Sequence, residues 1–305
     1  MKHAIVIVGS GGRLGAALLR EWRKRGAEVI GLDRTQLDLG DDQAIRDRLG
    51  VLDFDVLVNC AAQTNVDRCE REVDEAFRVN SRAVAILAEI CARKKARCIH
   101  VSTDYVFDGT KEAPYVEEDE PRPLSKYGES KWSGERELLA ASSGHLAIRV
   151  SWVFGPDRAS FVDQIIDRAV KQDRVEAIAD KVSVPTYTLD AAHLLLPLLD
   201  RPSVGGVLHV CNAGECSWQE YGQHALDCAA AIGAPLRARQ VEPLKLADMK
   251  AFVARRPVYT PLATGKFTQL TGIAPRPWQD AVEDYVRTIF SSRATSGPDP
   301  SGRSF

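Results

Sequence analysis

The stretch IVIVGSGGRLGAALL, residues 5–19, decides the fold. Four branched apolar residues run into Gly9, and Gly9, Gly12 and Gly15 then space a G-x-x-G-x-x-G turn before an amphipathic stretch begins. A buried strand that stops at glycines and resumes as a helix opens a parallel βαβ unit. Glycine at such a turn lets backbone N–H groups approach a pyrophosphate, and the helix N-terminus stabilises its charge. The next strand-like run, EVIGLD (28–33), ends in Asp33, placed to accept hydrogen bonds from adenosine ribose hydroxyls. Arg34 beside it suits a 2′-phosphate instead, so NADH and NADPH both stay open as cofactors.

The alternation continues outward from this unit. DVLVNCAA (55–62), RCIHVS (97–102) and LAIRVSWVFG (146–155) are separated by helical patterns such as EVDEAFRVNSRAVAILAEICARKK (72–95) and KYGESKWSGERELLAAS (126–142). Apolar runs between amphipathic helices predict an α/β fold with a Rossmann-like, doubly wound parallel sheet. Past Gly155 the rhythm loosens into short strands, Pro-marked turns and a helix that Ser217 would cap, which predicts a smaller mixed α/β substrate-binding unit. The expected division gives residues 1–152 to dinucleotide binding, with a return to that unit around 186–212. Residues 153–185 and 213–290 would form the second unit, and the Ser/Gly/Pro-rich ending, 291–305, would be a disordered tail.

Composition narrows the function. A chain of 305 residues, 45% hydrophobic and 27% charged with a formal net charge of −2, carries no basic surface suited to nucleic acid or anionic membrane. Seven cysteines without a C-x-x-C read as reduced structural thiols. The first apolar run stops at glycines, as a strand does and a signal peptide does not, and no later run is long enough to span a bilayer. A cytoplasmic location is expected.

Chemistry gathers in VSTDYVFDGT (101–110), where an apolar strand ends in Ser102, Thr103, Asp104 and Tyr105. Downstream, Tyr127 and Lys131 form Y-x-x-x-K, which places both side chains on one helix face. An ammonium near a phenol favours phenolate, as would an oxidised nicotinamide, so Tyr127 could exchange a proton with a carbinol oxygen. Thr103 or Ser102 would hold that same oxygen. Asp38 and Leu39 could line an adenine, and the small Ala61 and Ala62 would let a cofactor lie close to backbone.

Glycine turn, strand-end hydroxyl and Y-x-x-x-K, in this order, resemble the extended, nucleotide-sugar branch of the short-chain dehydrogenase/reductase superfamily. STDYVFDGT, PLSKYGESKWSGE, IRVSWVFG, VPTYTLD, CSWQEYG and the RRP…PWQDAVEDYV ending resemble the dTDP-4-dehydrorhamnose reductase family, from about Ala4 to Ile289. The resemblance implies NADH- or NADPH-dependent reduction of the 4-keto group of a dTDP-4-dehydro-6-deoxy sugar, giving dTDP-L-rhamnose. It assigns Thr103 to polarising the carbonyl, Tyr127 to donating the proton, and Lys131 to tuning the phenol and binding the nicotinamide ribose. Gly12, Arg13, Leu14, Asp33 and Asp38 match cofactor-contacting positions, as do Leu39, Ala61, Ala62, Gln63 and Val101. Asp104 and Trp152 match sugar contacts, and Arg255 or Arg256 would meet the diphosphate, because guanidinium forks suit phosphate oxygens.

No metal is expected. Where some family members join subunits through a glutamate-held metal, Ala17 and Leu189 stand here, so a homodimer would rest on other contacts. A 4,6-dehydratase is disfavoured because Tyr105 follows Asp104 where that chemistry uses a second carboxylate. Two alternatives remain. One is a 4-epimerase using the same Tyr and Lys. The other is a non-catalytic regulatory subunit resembling that of methionine adenosyltransferase, which carries a related YVFDG block.

Overall fold

The computed structural model describes residues 3–295. Its first half runs β1 (Ala4–Val8), α1 (Arg13–Lys24), β2 (Glu28–Leu32), α2 (Asp42–Gly50), β3 (Val56–Asn59), α3 (Val66–Arg71), α4 (Val73–Phe77), α5 (Ala83–Lys94), β4 (Arg97–Thr103), α6 (Lys126–Ala141) and β5 (Leu146–Val150). Then follow β6 (Val153–Phe154), α7 (Phe161–Lys171), β7 (Val175–Ile178), β8 (Val182–Ser183), β9 (Thr186–Tyr187), α8 (Thr188–Leu199) and β10 (Gly206–His209). The chain closes with β11 (Cys216–Ser217), α9 (Trp218–Ala231), β12 (Val241–Leu244), α10 (Gly265–Thr271) and α11 (Trp278–Thr295).

Six strands form one parallel sheet in the order β10-β5-β4-β3-β1-β2. Alternate residues of a strand face opposite sides, and β1 uses both. Ile5 and Ile7 join a core with Leu14, Leu18 and Trp22 of α1 and Leu195 and Leu198 of α8. Val6 and Val8 join the opposite core with Ile45 of α2, Leu87 of α5 and Leu138 of α6. Burial on both faces is the physical reason these strands read as unbroken apolar runs. The sheet order reverses between β1 and β3, and a crevice for ligand opens at the carboxyl ends of the strands at such a point.

A third core lies outside the sheet, where Val162, Ile165 and Ile166 of α7 pack with Tyr221 and Leu226 of α9 and Trp278, Val282 and Tyr285 of α11. Ser217 caps α9 in a reciprocal box with Glu220. The long helix read from residues 72–95 is interrupted by a π-helical turn at Arg78–Arg82. The last helix also differs from expectation: it runs to Thr295, five residues into the ending expected to be disordered, because an anchored helix extends cooperatively at little cost. The rest of that ending lies outside the described residues.

Candidate active site

The glycine turn is shaped for close approach. Gly9 has φ +81°, and a Cβ there would lie 2.6 Å from the Ala61 nitrogen, so β1 and the segment after β3 meet backbone to backbone. Gly12 caps α1 without a side-chain bond, and the first turn of α1 carries no acidic residue, leaving its N–H groups open to an anion. Leu14 and Gly15 lie in that turn. Asp33, at the end of β2, takes three hydrogen bonds on Oδ1, from Thr35 N (2.9 Å), Thr35 Oγ1 (2.6 Å) and Gln36 N (3.2 Å). The Thr35 hydroxyl foremost holds its carboxyl below the ordinary 3.8. Arg34 is exposed, 3.9 Å from Asp38.

Two expected cofactor contacts meet a different arrangement. The Arg13 guanidinium donates to the carbonyls of Val153 (3.2 Å), Arg158 (3.2 Å) and Ala159 (2.5 Å), clamping α1 to the segment before α7. The Leu39 side chain is buried with Leu32, Ile45 and Leu49. Gln63 is fixed through its backbone: Asn80 Oδ1 accepts from Gln63 N (2.8 Å), while Asn80 Nδ2 donates to Gln63 O and to Ser130 Oγ (3.0 Å each). Asn80 belongs to the π-helical turn, whose extra residue aims it inward.

At the other end of the crevice, α6 approaches the end of β4 very closely: a Cβ at Gly128 would lie 2.2 Å from the Tyr105 carbonyl oxygen. This brings the buried Tyr127 phenol close to the Thr103 hydroxyl. Ser102 faces the other side of β4; its Oγ is buried and has no partner among the described residues. Thr103, not Ser102, is therefore the hydroxyl beside the phenol. Tyr105 packs edge-on against Tyr127, with ring centroids 5.5 Å apart.

The surroundings of the phenol act against the expected tuning. Burial pushes the Tyr127 phenol above its ordinary 10; the Thr103 hydrogen bond opposes that, and Asp104 and Cys69 add to it. Lys131 makes no hydrogen bond to Tyr127 among the described residues. Its Nζ donates to Val101 O (2.7 Å) and faces His100 Nε2 (3.0 Å). Burial also holds this lysine down at about 8. A buried amino group must find an acceptor, and the strand carbonyl is within reach.

Asp104 differs from its sugar-contact expectation too. Oδ1 accepts from Thr103 Oγ1 (3.1 Å), and Oδ2 accepts from Ser183 Oγ (3.1 Å) and Thr260 Oγ1 (2.6 Å). The carboxylate thus ties β4 to β8 and to the segment before α10. Desolvation raises its pKa, against the pull of Lys181 and the three hydroxyls. Arg256 is likewise committed: its guanidinium forks onto Asp67 (3.1 and 2.8 Å) and stacks 3.5 Å over the Phe252 ring. Arg255 next to it is exposed. Trp152 has φ +41°, a strained value for a bulky residue, and stacks on Tyr221 at 6.1 Å; its buried Nε1 has no partner among the described residues. No cluster of three metal-ligating side chains occurs among the described residues.

Asn59, His100, Asn80 and Lys181 are polar parts of the site that the sequence reading missed. The first two carried a signal, since each is a polar residue inside an otherwise apolar buried strand.

A parallel sheet with a glycine turn at its switch point and a Thr-Tyr pair with a nearby lysine at a strand end defines a Rossmann-like fold of the dehydrogenase/reductase type. The family model described as RmlD substrate binding domain matches residues 1–290, and the chain belongs to this dTDP-4-dehydrorhamnose reductase family. A dTDP-4-dehydrorhamnose reductase of Mycolicibacterium smegmatis is 36% identical, the match covering 99% of this chain and 90% of the relative. A crystal structure of a dTDP-4-dehydrorhamnose reductase from Clostridium acetobutylicum is 30% identical with a TM-score of 0.87, covering 94% of this chain and 99% of that one. The Bacillus anthracis reductase in complex with NADP is 27% identical, also with a TM-score of 0.87, covering 93% of this chain and 99% of that one.

Proposed function

We propose that this chain reduces the 4-keto group of dTDP-4-dehydrorhamnose with NADPH or NADH, giving dTDP-L-rhamnose. The closeness of the buried Tyr127 phenol to the Thr103 hydroxyl at the carboxyl end of β4 carries the reading. The cofactor fits this chain's residues: the Gly9 turn and the open N-terminus of α1 for the pyrophosphate, Asp33 with Arg34 for the adenosine ribose, and Lys131 for the nicotinamide ribose. When bound, it supplies the hydride. Thr103, turning its hydroxyl from Asp104 Oδ1, donates a hydrogen bond to the ketone oxygen, and Tyr127 hands its proton to that oxygen as the alcohol forms. Burial that raises the phenol's pKa keeps it protonated at neutral pH, which suits an acid better than a phenolate would.

On this reading residues 1–152, with the return at 186–212, hold the hydride carrier at the six-stranded sheet, and residues 153–185 and 213–290 hold the sugar nucleotide near the third core. Trp152 offers its face to the deoxy sugar. With Arg256 engaged by Asp67, Arg255 is the arginine left for the diphosphate. The reading includes a cytoplasmic location; no helix among the described residues is long and apolar enough to cross a membrane. A homodimer would form without a metal bridge, since Ala17 is fully buried.

The test is a coupled assay with the dTDP-4-keto sugar, in which one NADPH should be oxidised per sugar reduced. Epimerised sugar without net oxidation would replace the reductase by an epimerase. Tyr127→Phe should lose ~10²–10⁴ in turnover while keeping NADPH affinity; parallel loss of both would remove the acid role.

A further inference from the structure

Asn59, His100 and Lys131 form a chain of side chains running from the glycine turn to the Y-x-x-x-K lysine, and its polarity can be read link by link. The Ala61 N–H donates to Asn59 Oδ1 (3.0 Å), which fixes the amide and turns Nδ2 toward His100 Nδ1 (3.0 Å). An amide nitrogen only donates, so Nδ1 must accept and carries no proton. The imidazole is fully buried, and burial with the neighbouring Lys131 holds its pKa well below 6.5. It is therefore neutral, with its one proton on Nε2, and that N–H points at Lys131 Nζ (3.0 Å).

A charged ammonium has no lone pair, so two donors would then face each other. An uncharged amine resolves the conflict by accepting from Nε2 while donating to Val101 O (2.7 Å). For Lys131 to become charged, one proton must enter from solvent. Nε2–H passes to Nζ, the incoming proton takes Nδ1, and Asn59 must turn its Oδ1 to receive it. The Ala61 N–H then loses its partner, at the point where β3 presses on Gly9.

We propose that Asn59 and His100 are positioning residues of a two-state relay, coupling the charge on Lys131 to the Ala61 N–H beside the dinucleotide turn. Its consequence for cofactor binding rests on the reading given above; the relay itself does not. The other titratable groups facing Lys131 are Glu135 on α6, Cys60 after β3 and Cys69 on α3. Glu135 is locked in a buried pair with Arg149 (2.9 and 2.7 Å). The thiols of Cys60 and Cys69 are pushed up to about 12 and about 11, so neither titrates with the lysine.

Long-range proton–nitrogen NMR on cofactor-free protein with labelled histidine reads the tautomer directly, His100 being assigned by the signals lost in His100→Gln. Across pH 6–10, Nε2–H above a midpoint near 8 should give way to Nδ1–H below it, and the Ala61 amide should move at the same midpoint. A single tautomer throughout, or an Ala61 amide that stays put, overturns the relay. In Asn59→Asp the carboxylate can only accept, so Nδ1–H should persist at every pH and the lysine midpoint should rise by about one unit, a tenfold change in proton affinity. An unmoved midpoint also overturns it. Failure of the coupled assay with the switch intact sinks the reductase alone, whereas a fixed tautomer with normal turnover sinks the relay alone.

Discussion

Lys131 and Lys181 make an instructive pair. Both amino groups are buried, burial pushes both down to about 8, and both donate to a backbone carbonyl, Val101 O at 2.7 Å and Pro257 O at 2.5 Å. Their surroundings separate them. Lys181 lies 4.9 Å over the Tyr105 ring and is drawn by the Asp104 carboxylate, which also gathers the hydroxyls of Thr103, Ser183 and Thr260. Lys131 faces an imidazole N–H, and the carboxylate acting on it, Glu135, is committed to Arg149. Where a counter-charge is supplied, a buried cation holds two units together. Where the nearby carboxylate is committed elsewhere, the same group is left with a strand carbonyl and an imidazole.

Lys131→Met gives the largest effect expected from this contrast. Turnover should fall by ~10²–10⁴. Stability at pH 7 should hold or rise, because a folded-state pKa below the ordinary 10.5 means that the native state resists the proton which the unfolded chain binds freely. A clear drop in Tm would make Lys131 structural and break the contrast. Lys181→Met comes next. It removes a similarly depressed ammonium but also strips the buried Asp104 of its cation, and the net cost should be ~2 kcal/mol, a fall of roughly 3 °C in Tm. Adding Asp104→Asn should recover part of that loss. Turnover lost at an unchanged Tm would instead move Lys181 into the chemistry.

Legibility in the sequence followed regularity. Parallel strands buried on both faces write themselves as β-branched runs, and β1 through β5 were readable for that reason. The i, i+4 spacing of Tyr127 and Lys131 placed both on one face of α6. Spacing does not set rotamers, however, and the flexible lysine stem swings Nζ back to the Val101 carbonyl. Asn59 and His100 are register partners on adjacent strands, a relation visible only once β3 and β4 are paired. Lys181 sits between short strands, where no period marks it, and Arg256 meets Asp67 across 189 positions of sequence. Long-range polar contacts of this kind leave no local pattern to read.

Arg256 and Asp67 extend the contrast at a smaller scale. This cation, like Lys181, has its counter-charge in place, and Asp67 also accepts from Val253 N and Ala254 N (2.9 Å each). The Arg256 hydrogen bond foremost holds the Asp67 carboxyl down at about 2, against an ordinary 3.8. A depressed carboxyl adds stability that is present above 3.8 and disappears as pH falls through about 2. Asp67 is partly open to water, and screening reduces the effect. Asp67→Asn should therefore lower Tm at pH 7 by only ~1–2 °C and flatten the acid limb of Tm between pH 4 and 2. KM for the sugar nucleotide should not change, because the guanidinium is a clamp on the 252–256 segment. A tenfold rise in KM with Tm unmoved would give Arg256 back to the diphosphate, and the rule that a satisfied buried cation is structural would fail at this site.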